Sequence, residues 1–120
     1  MTSKEKVLVG VARSLVLGEP RLMRSKHVAF VLLRGKVIAI GRNKHTCDPH
    51  RRLSIHAEID AIRKTNLKDA YKFSLLVVRI KKSGELAMSK PCTSCQKFLS
   101  QVGVTRIRYS MEGDIIEGIL

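Results

Sequence analysis

Apolar residues recur along the chain at two spacings, and each spacing predicts a different secondary structure. Helical intervals predict a helix over Lys4–Leu17 that ends at Gly18-Glu19-Pro20. His27–Leu33 and Val37–Ile40 are instead rich in β-branched and apolar residues, and Arg34-Gly35-Lys36 separates them. A short turn between two such runs predicts a β-hairpin.

The remainder of the chain predicts a long loop, two helices and three strands. A polar, basic stretch that contains proline precedes the second helix, and a nearly continuous apolar run indicates a strand covered on both faces. The predicted elements are, in order, the loop Asn43–Ser54, a helix from Ser54 or Ile55, the strand Ser74–Ile80, a helix over Cys92–Val102 opened by Pro91, the strand Thr105–Tyr109, and a last short strand that includes Ile115, Ile116 and Ile119.

The order α-β-β-α-β-α-β-β predicts an α/β sandwich with a mixed sheet. Only Ser110–Asp114 separates the last two strands, which is too short for a crossover connection, so we expect them to form an antiparallel hairpin. A length of 120 residues predicts a single domain over residues 1–120. No apolar run approaches the length of a membrane span, and no signal-peptide pattern is present.

The composition is strongly basic, with 23 Lys and Arg against 10 Asp and Glu and a formal net charge of +13. Such an excess attracts polyanions, which favours nucleic acid or phosphorylated nucleotides as partners. The competing interpretation is that the charge only keeps the protein soluble. The chain has no Trp, two Tyr and three Phe, so few aromatic rings are present for stacking on bases.

Two short motifs carry candidate chemistry. His56-Ala57-Glu58 opens one predicted helix, and Pro91-Cys92-Thr93-Ser94-Cys95 opens a later one. Together they form the H-x-E … P-C-x-x-C signature of zinc-dependent nucleobase deaminases. His56, Cys92 and Cys95 supply three zinc ligands and leave the fourth position for water, which is typical of a catalytic zinc site.

Glu58 is the predicted catalytic residue. It lies two positions from the ligand His56, where a carboxylate that is not bound to the metal can carry protons between water and the leaving ammonia. Three cysteines are an odd count and two belong to the metal motif, which argues against a disulfide framework and indicates a reducing, intracellular compartment. Cys47 is interpreted as a loop thiol rather than a fourth ligand.

The segments SIHAEIDAI and KPCTSCQKFLSQVGVTRIRYS resemble those of the cytidine deaminase-like superfamily, in particular the tRNA adenosine, deoxycytidylate and polynucleotide cytidine deaminases, which also use His as the first ligand. The resemblance implies a cytidine deaminase-like α/β(/α) sandwich with a mixed five-stranded sheet, and often a homo-oligomer. The short connection before the last strand is more similar to the free-cytidine and bacterial-toxin branches.

The resemblance also implies substrate contacts. Asn43 resembles the asparagine that contacts the substrate sugar, although asparagine is common in loops for its turn chemistry. The Ala57 backbone N–H resembles the one that hydrogen-bonds the base. Ser89, just before the cysteine motif, is a candidate for contact with the base or a flanking phosphate, and a solvated loop residue is the alternative.

Basic residues flank both motifs and are candidate phosphate-binding groups: Lys44, Arg51, Arg52 and Lys90. We therefore expect conversion of cytosine to uracil, in single-stranded DNA or RNA. Deamination of a free cytidine or deoxycytidine nucleotide, and deamination of adenine in RNA, are the alternatives. A nucleic-acid-binding domain with structural zinc, or a redox C-x-x-C protein, are the alternatives from other classes.

Overall fold

The computed structural model describes residues 1–17, 26–45 and 54–119. The α-helices are α1 (Ser3–Leu17), α2 (Ala57–Arg63) and α3 (Thr93–Val102), and a 3-10 helix covers Leu67–Lys72. The strands are β1 (Lys26–Leu33), β2 (Lys36–Arg42), β3 (Lys44–His45), β4 (Ser54–Ile55), β5 (Phe73–Ile80), β6 (Leu86–Ala87), β7 (Arg106–Met111) and β8 (Asp114–Ile119).

The main sheet is mixed, with strand order β2-β1-β5-β7-β8, and the short β6 adds a sixth strand beside β5. β5 and β7 are parallel, because α3 lies in the connection between them, whereas β1 pairs antiparallel with both β2 and β5. β7 and β8 form an antiparallel hairpin with the pair Met111–Asp114 at its turn. The predicted mixed α/β architecture and the predicted C-terminal hairpin are confirmed.

The two faces of the sheet are covered by different helices. One layer packs α1 residues such as Val9 and Val16 against Phe30 and Val78. The other packs α2 and α3 against the residues of β1 and β5 that point the opposite way, among them Val31 and Val77. Because successive strand residues alternate between these layers, odd-numbered residues of β1 and β5 face α2 and α3.

Hydrogen bonds fix α2 to the end of β2. The Arg42 backbone N–H donates to Asp60 Oδ2 at 3.0 Å, and Lys64 Nζ donates to the Ile40 carbonyl at 2.8 Å. Lys64 and Asp60 are also an ion pair one helical turn apart, at 3.2 Å. These contacts hold the first turn of α2 beside Asn43, which follows β2.

Three details differ from the sequence-based expectations. The ends of the predicted loop pair as β3 and β4, and residues 46–53 of that loop lie outside the described residues. The strand β6 and the 3-10 helix were not predicted. The 3-10 helix is capped by Asn66, whose side chain accepts a hydrogen bond from the Lys68 N–H. A helix this short has no apolar periodicity by which the sequence could predict it. No helix among the described residues is long and apolar enough to cross a membrane.

Candidate zinc and catalytic site

Three donor side chains converge where α2 and α3 begin. The ligand atoms of His56, Cys92 and Cys95 all lie within 4.8 Å of one another. His56 Nδ1 is 3.0 Å from Cys95 Sγ and 3.6 Å from Cys92 Sγ. The structure thus brings together residues separated by 36 and 39 positions in the sequence.

The ends of the two helices place these donors. His56 and Cys92 are the N-cap residues of α2 and α3, with extended backbones, rather than residues of the first helical turn as the sequence predicted. Neither side chain makes a capping hydrogen bond, so both are available to face the same point. Cys95 lies in the first turn of α3 and is buried.

The donor set fits zinc, because an imidazole nitrogen and two thiol sulfurs are its preferred ligands. Burial raises the pKa of the Cys95 thiol far above its usual range, and its hydrogen bond with Cys92 and the nearby Glu58 carboxylate raise it further. A buried thiol of this kind becomes a thiolate when a cation binds it.

Glu58 lies beside the cluster without belonging to it. It is 3% exposed, and Oε2 is the buried side-chain atom that has no hydrogen-bond partner among the described residues. Burial raises the pKa of Glu58, although hydrogen bonds from its own backbone N–H and from Cys95, together with the charge of His56, act in the opposite direction. A buried carboxyl group with one oxygen left for a ligand fits proton transfer at this site.

A cavity of about 290 Å³ opens over the cluster and contains both motifs in its wall. It is lined by His27, Asn43, His56, Ala57, Glu58, Lys90, Pro91 and Cys92. This volume is at the lower end of the range for small-molecule sites. Two of the three metal donors, His56 and Cys92, therefore share with Glu58 a cavity into which a single base can enter.

A family model described as the cytidine and deoxycytidylate deaminase zinc-binding region matches residues 8–111. The chain belongs to this deaminase family. Membership and the three-donor cluster agree on Zn²⁺ as the cofactor, and membership supports a hydrolytic deaminase. A comparison with curated proteins finds no match.

Solved structures share the fold at low sequence identity. The cytidine deaminase of Mycobacterium leprae is 18% identical with a TM-score of 0.62, over 97% of this chain and 94% of that one. The apo dCMP deaminase of cyanophage S-TIM5 is 22% identical with a TM-score of 0.56, over 95% of this chain and 88% of that one. The cytidine deaminase of Burkholderia pseudomallei is 20% identical with a TM-score of 0.60, over 99% of this chain and 93% of that one. The predicted superfamily is confirmed.

The remaining predicted site residues of this deaminase lie in different surroundings. Asn43 and Ala57 line the cavity, and the Ala57 N–H, in the first turn of α2, has no acceptor within the helix. Lys90 is exposed at the cavity wall. Lys44 lies in β3, directly after Asn43, and Arg51 and Arg52 lie outside the described residues.

Ser89 is 1% exposed and its hydroxyl is engaged within the protein. Ser89 Oγ donates to the Val77 carbonyl at 2.8 Å, lies 2.8 Å from Ser110 Oγ, and accepts from the Ser110 N–H at 2.8 Å. Ser110 Oγ in turn donates to the Ala87 carbonyl at 2.6 Å. This buried network fixes the segment before Cys92 to β5 and β7, and Ser89 is not in the cavity wall described above.

His27 is the cavity residue that the sequence analysis did not identify. It is half-buried at the start of β1, and the β1–β5 register places it directly opposite Arg79. Burial, Arg79 and His56 lower the pKa of His27 to about 4, so its imidazole is neutral at pH 7. The sequence offered only a histidine at the edge of an apolar run, which does not indicate a site.

Proposed function

We propose that this deaminase converts cytosine to uracil in single-stranded nucleic acid. The observation that carries the proposal is the buried Oε2 of Glu58, which has no partner among the described residues and lies next to the His56, Cys92 and Cys95 cluster. A purely structural zinc site has no use for an unliganded carboxyl group at that place. A redox C-x-x-C pair has no use for the histidine.

Each residue has a defined part in the proposed reaction, in which water replaces the exocyclic amino group of cytosine and ammonia leaves. His56, Cys92 and Cys95 hold the zinc ion, which when bound lowers the pKa of a water ligand to about 7. Glu58 accepts one proton of the attacking water at Oε2 and gives it to the ring nitrogen. It then accepts the second proton of that water and gives it to the exocyclic amino group, which leaves as ammonia while the water oxygen stays on the ring as the carbonyl. The raised pKa of Glu58 makes its carboxylate a better proton acceptor than an ordinary glutamate.

One backbone group orients the base, and one side chain orients the sugar. The Ala57 N–H points from the first turn of α2 and is assigned to the base. Asn43, which also lines the cavity, is assigned to the sugar. The reducing, intracellular location belongs to the same proposal, because the two cysteines serve as zinc ligands only when they are not joined in a disulfide.

The charge distribution supports a polyanionic substrate. The formal net charge is +13, and Lys90 lies exposed at the cavity wall. A phosphate backbone that runs past the cavity would gain affinity from such groups without any reading of sequence. Lys44, Arg51 and Arg52 belong to the same segment of chain as Asn43 and extend this assignment as candidate phosphate contacts.

A free cytidine nucleotide is the second candidate substrate. The structural neighbours named above include cytidine deaminases and a dCMP deaminase, and this chain covers most of their length without an additional element. The scarcity of aromatic side chains also favours it, because single-strand binding domains stack bases on aromatic rings. A single phosphate could use the same lysine.

The test is deamination of matched substrates by the zinc-loaded protein, measured by mass change. The panel contains cytosine and adenine in single-stranded DNA and RNA oligonucleotides, and the corresponding free nucleosides and nucleotides. Glu58→Gln is the control, because it keeps the size of the side chain and removes its proton exchange. We expect conversion of cytosine in an oligonucleotide, and a loss of at least about 100-fold in the variant.

Each other outcome selects a different function. Conversion of free nucleotides alone would show that the substrate is a free nucleotide and not a nucleic acid. Conversion of adenine would reassign the base. Full activity of Glu58→Gln would remove Glu58 from the reaction, and inactivity of the zinc-loaded wild type on the whole panel would overturn the proposed function.

A further inference from the structure

His27 and Asn43 are joined by two hydrogen bonds at the cavity wall. The His27 backbone N–H donates to Asn43 Oδ1 at 3.0 Å, and the Asn43 backbone N–H donates to the His27 carbonyl at 3.4 Å. His27 lies in β1, and Asn43 directly follows the neighbouring strand β2, at the end of the sheet where α2 begins. The pair therefore forms one rigid part of the cavity wall.

The first of these bonds fixes the orientation of the Asn43 side chain. A backbone N–H can only donate, so the atom that faces it must be the amide oxygen. The Asn43 side-chain nitrogen Nδ2 then points away from the His27 backbone and is a hydrogen-bond donor whose orientation is fixed. No oxygen in the described part of the chain accepts a hydrogen bond from it.

His27 and Asn43 both line the cavity, and the backbone of His27 makes both hydrogen bonds to Asn43. It is on the α2 and α3 face of the sheet, as are the other odd-numbered residues of β1. A neutral imidazole offers one donor and one acceptor nitrogen. Two neighbouring residues of the wall thus supply an amide donor and an imidazole to the cavity that Ala57 and Glu58 also line.

We propose that His27 is a specificity-determining residue that, together with Asn43, contacts the hydroxyl groups of the substrate sugar. Adjacent polar groups in a fixed geometry match the adjacent 2′ and 3′ hydroxyls of a ribose, whereas a deoxyribose fills only one of the two positions. His27 therefore sets a preference for ribonucleotides over deoxyribonucleotides. This inference rests on the proposed function and narrows its substrate class.

Binding can be measured separately from turnover in the zinc-loaded Glu58→Gln background. The experiment compares the dissociation constants of matched RNA and DNA oligonucleotides with one cytosine, and of cytidine and deoxycytidine nucleotides, with and without His27→Ala. We expect the parent to bind the ribose form about tenfold more tightly, and His27→Ala to reduce that ratio to about one. His27→Gln, which keeps a donor and an acceptor, is expected to restore part of the ratio.

Lys26→Ala is the matched control. Lys26 precedes His27 in β1, and its side chain is on the opposite face of the sheet. Loss of its charge should therefore weaken the binding of ribose and deoxyribose substrates equally. Equal zinc content and equal melting temperatures of all variants exclude a general loss of structure. A ribose-to-deoxyribose ratio that stays the same in His27→Ala would overturn the inference.

Turnover by the variants with Glu58 intact distinguishes the two proposals. A wild type that deaminates cytosine while His27→Ala leaves the sugar ratio of kcat/KM unchanged would refute the role of His27 alone. A wild type that deaminates nothing would refute the proposed function. In that case the binding ratios still decide the assignment of His27.

Discussion

Gly41 of β2 lies directly against the first turn of α2, so closely that a Cβ atom at this position would be 2.3 Å from the Ala57 carbonyl oxygen. The same atom would be 2.3 Å from the Ala61 nitrogen. Contacts this short with backbone atoms leave no room for any side chain. The absence of a Cβ at Gly41 therefore sets how closely α2 approaches the sheet, and with it the distance from His56 and Glu58 to Asn43.

We expect Gly41→Ala to lower the free energy of unfolding by about 3 kcal/mol, because the added methyl group forces α2 away from β2. The shift of α2 should also lower zinc occupancy and activity in the folded fraction. Gly10→Ala is the control, since nothing lies within 4 Å of its Cβ position in α1. Alanine at that helical position should raise the free energy of unfolding by about 0.5–1 kcal/mol. Urea unfolding followed by circular dichroism measures both. Equal stability of the two variants would refute the close contact.

The buried serine pair predicts a second effect on stability. Ser110→Ala removes the hydrogen bond that Ser110 Oγ accepts from the Arg79 N–H and the buried one that it donates to the Ala87 carbonyl. We expect a loss of about 1–3 kcal/mol for Ser110→Ala, and the same for Ser89→Ala. The exposed Ser100→Ala should change stability by less than about 0.5 kcal/mol.

Kinetics of Ser89→Ala separate this structural effect from substrate binding. We expect its KM to stay close to that of the wild type, because the hydroxyl is engaged with Val77 and Ser110. An increased KM at unchanged stability would instead favour the contact with base or phosphate that the sequence predicted for Ser89.

Metal content tests the ligand assignment one cysteine at a time. We expect Cys92→Ala and Cys95→Ala to lose most of the one zinc ion per chain, measured by elemental analysis, because each removes one of three protein ligands. Cys47→Ala, the non-ligand in the sequence analysis, should retain it. Treatment with a chelator should also lower the melting temperature of the wild type, since zinc binds the folded chain. Retention of zinc by Cys95→Ala would contradict the assignment.

The metal donors could be predicted because each motif is local. Each motif lies at the beginning of a helix, and the three-residue spacing of Cys92 and Cys95 places one at the N-cap and the other in the first turn of the same helix. The sequence therefore predicted the cluster and the neighbouring Glu58, and the structure brings these residues together. Only the helix starts differ: α3 begins at Thr93 rather than Cys92, and α2 begins at Ala57 rather than at Ser54 or Ile55.

His27 could not be predicted because its place depends on strand register. Near the turn, Leu33 pairs with Lys36 and Leu32 with Val37, but an irregularity between Val31 and Leu32 shifts the pairing by one residue, so that Val31 pairs with Ala39. Without this shift Lys26, and not His27, would lie level with Asn43. A single extra residue in a strand exchanges the side chains that reach a site, and the hydrophobic pattern does not reveal it. The Ser89 and Ser110 pair depends in the same way on distant segments.

The pKa of His27 predicts a pH dependence of stability. Burial first, and then Arg79 and His56, hold the pKa at about 4, below the ordinary value of 6.5. Between these two pH values the unfolded chain binds a proton at His27 that the folded chain excludes, so the free energy of unfolding must fall as the pH is lowered through this window. The contribution is at most about 3 kcal/mol, and solvent screening at this half-buried ring reduces it. Urea unfolding of the wild type and His27→Gln at pH 7, 5.5 and 4.5 measures it. We expect the wild type to lose more stability than the variant over this range, because both share every other titrating group, whereas parallel profiles would show that the folded chain accepts the proton.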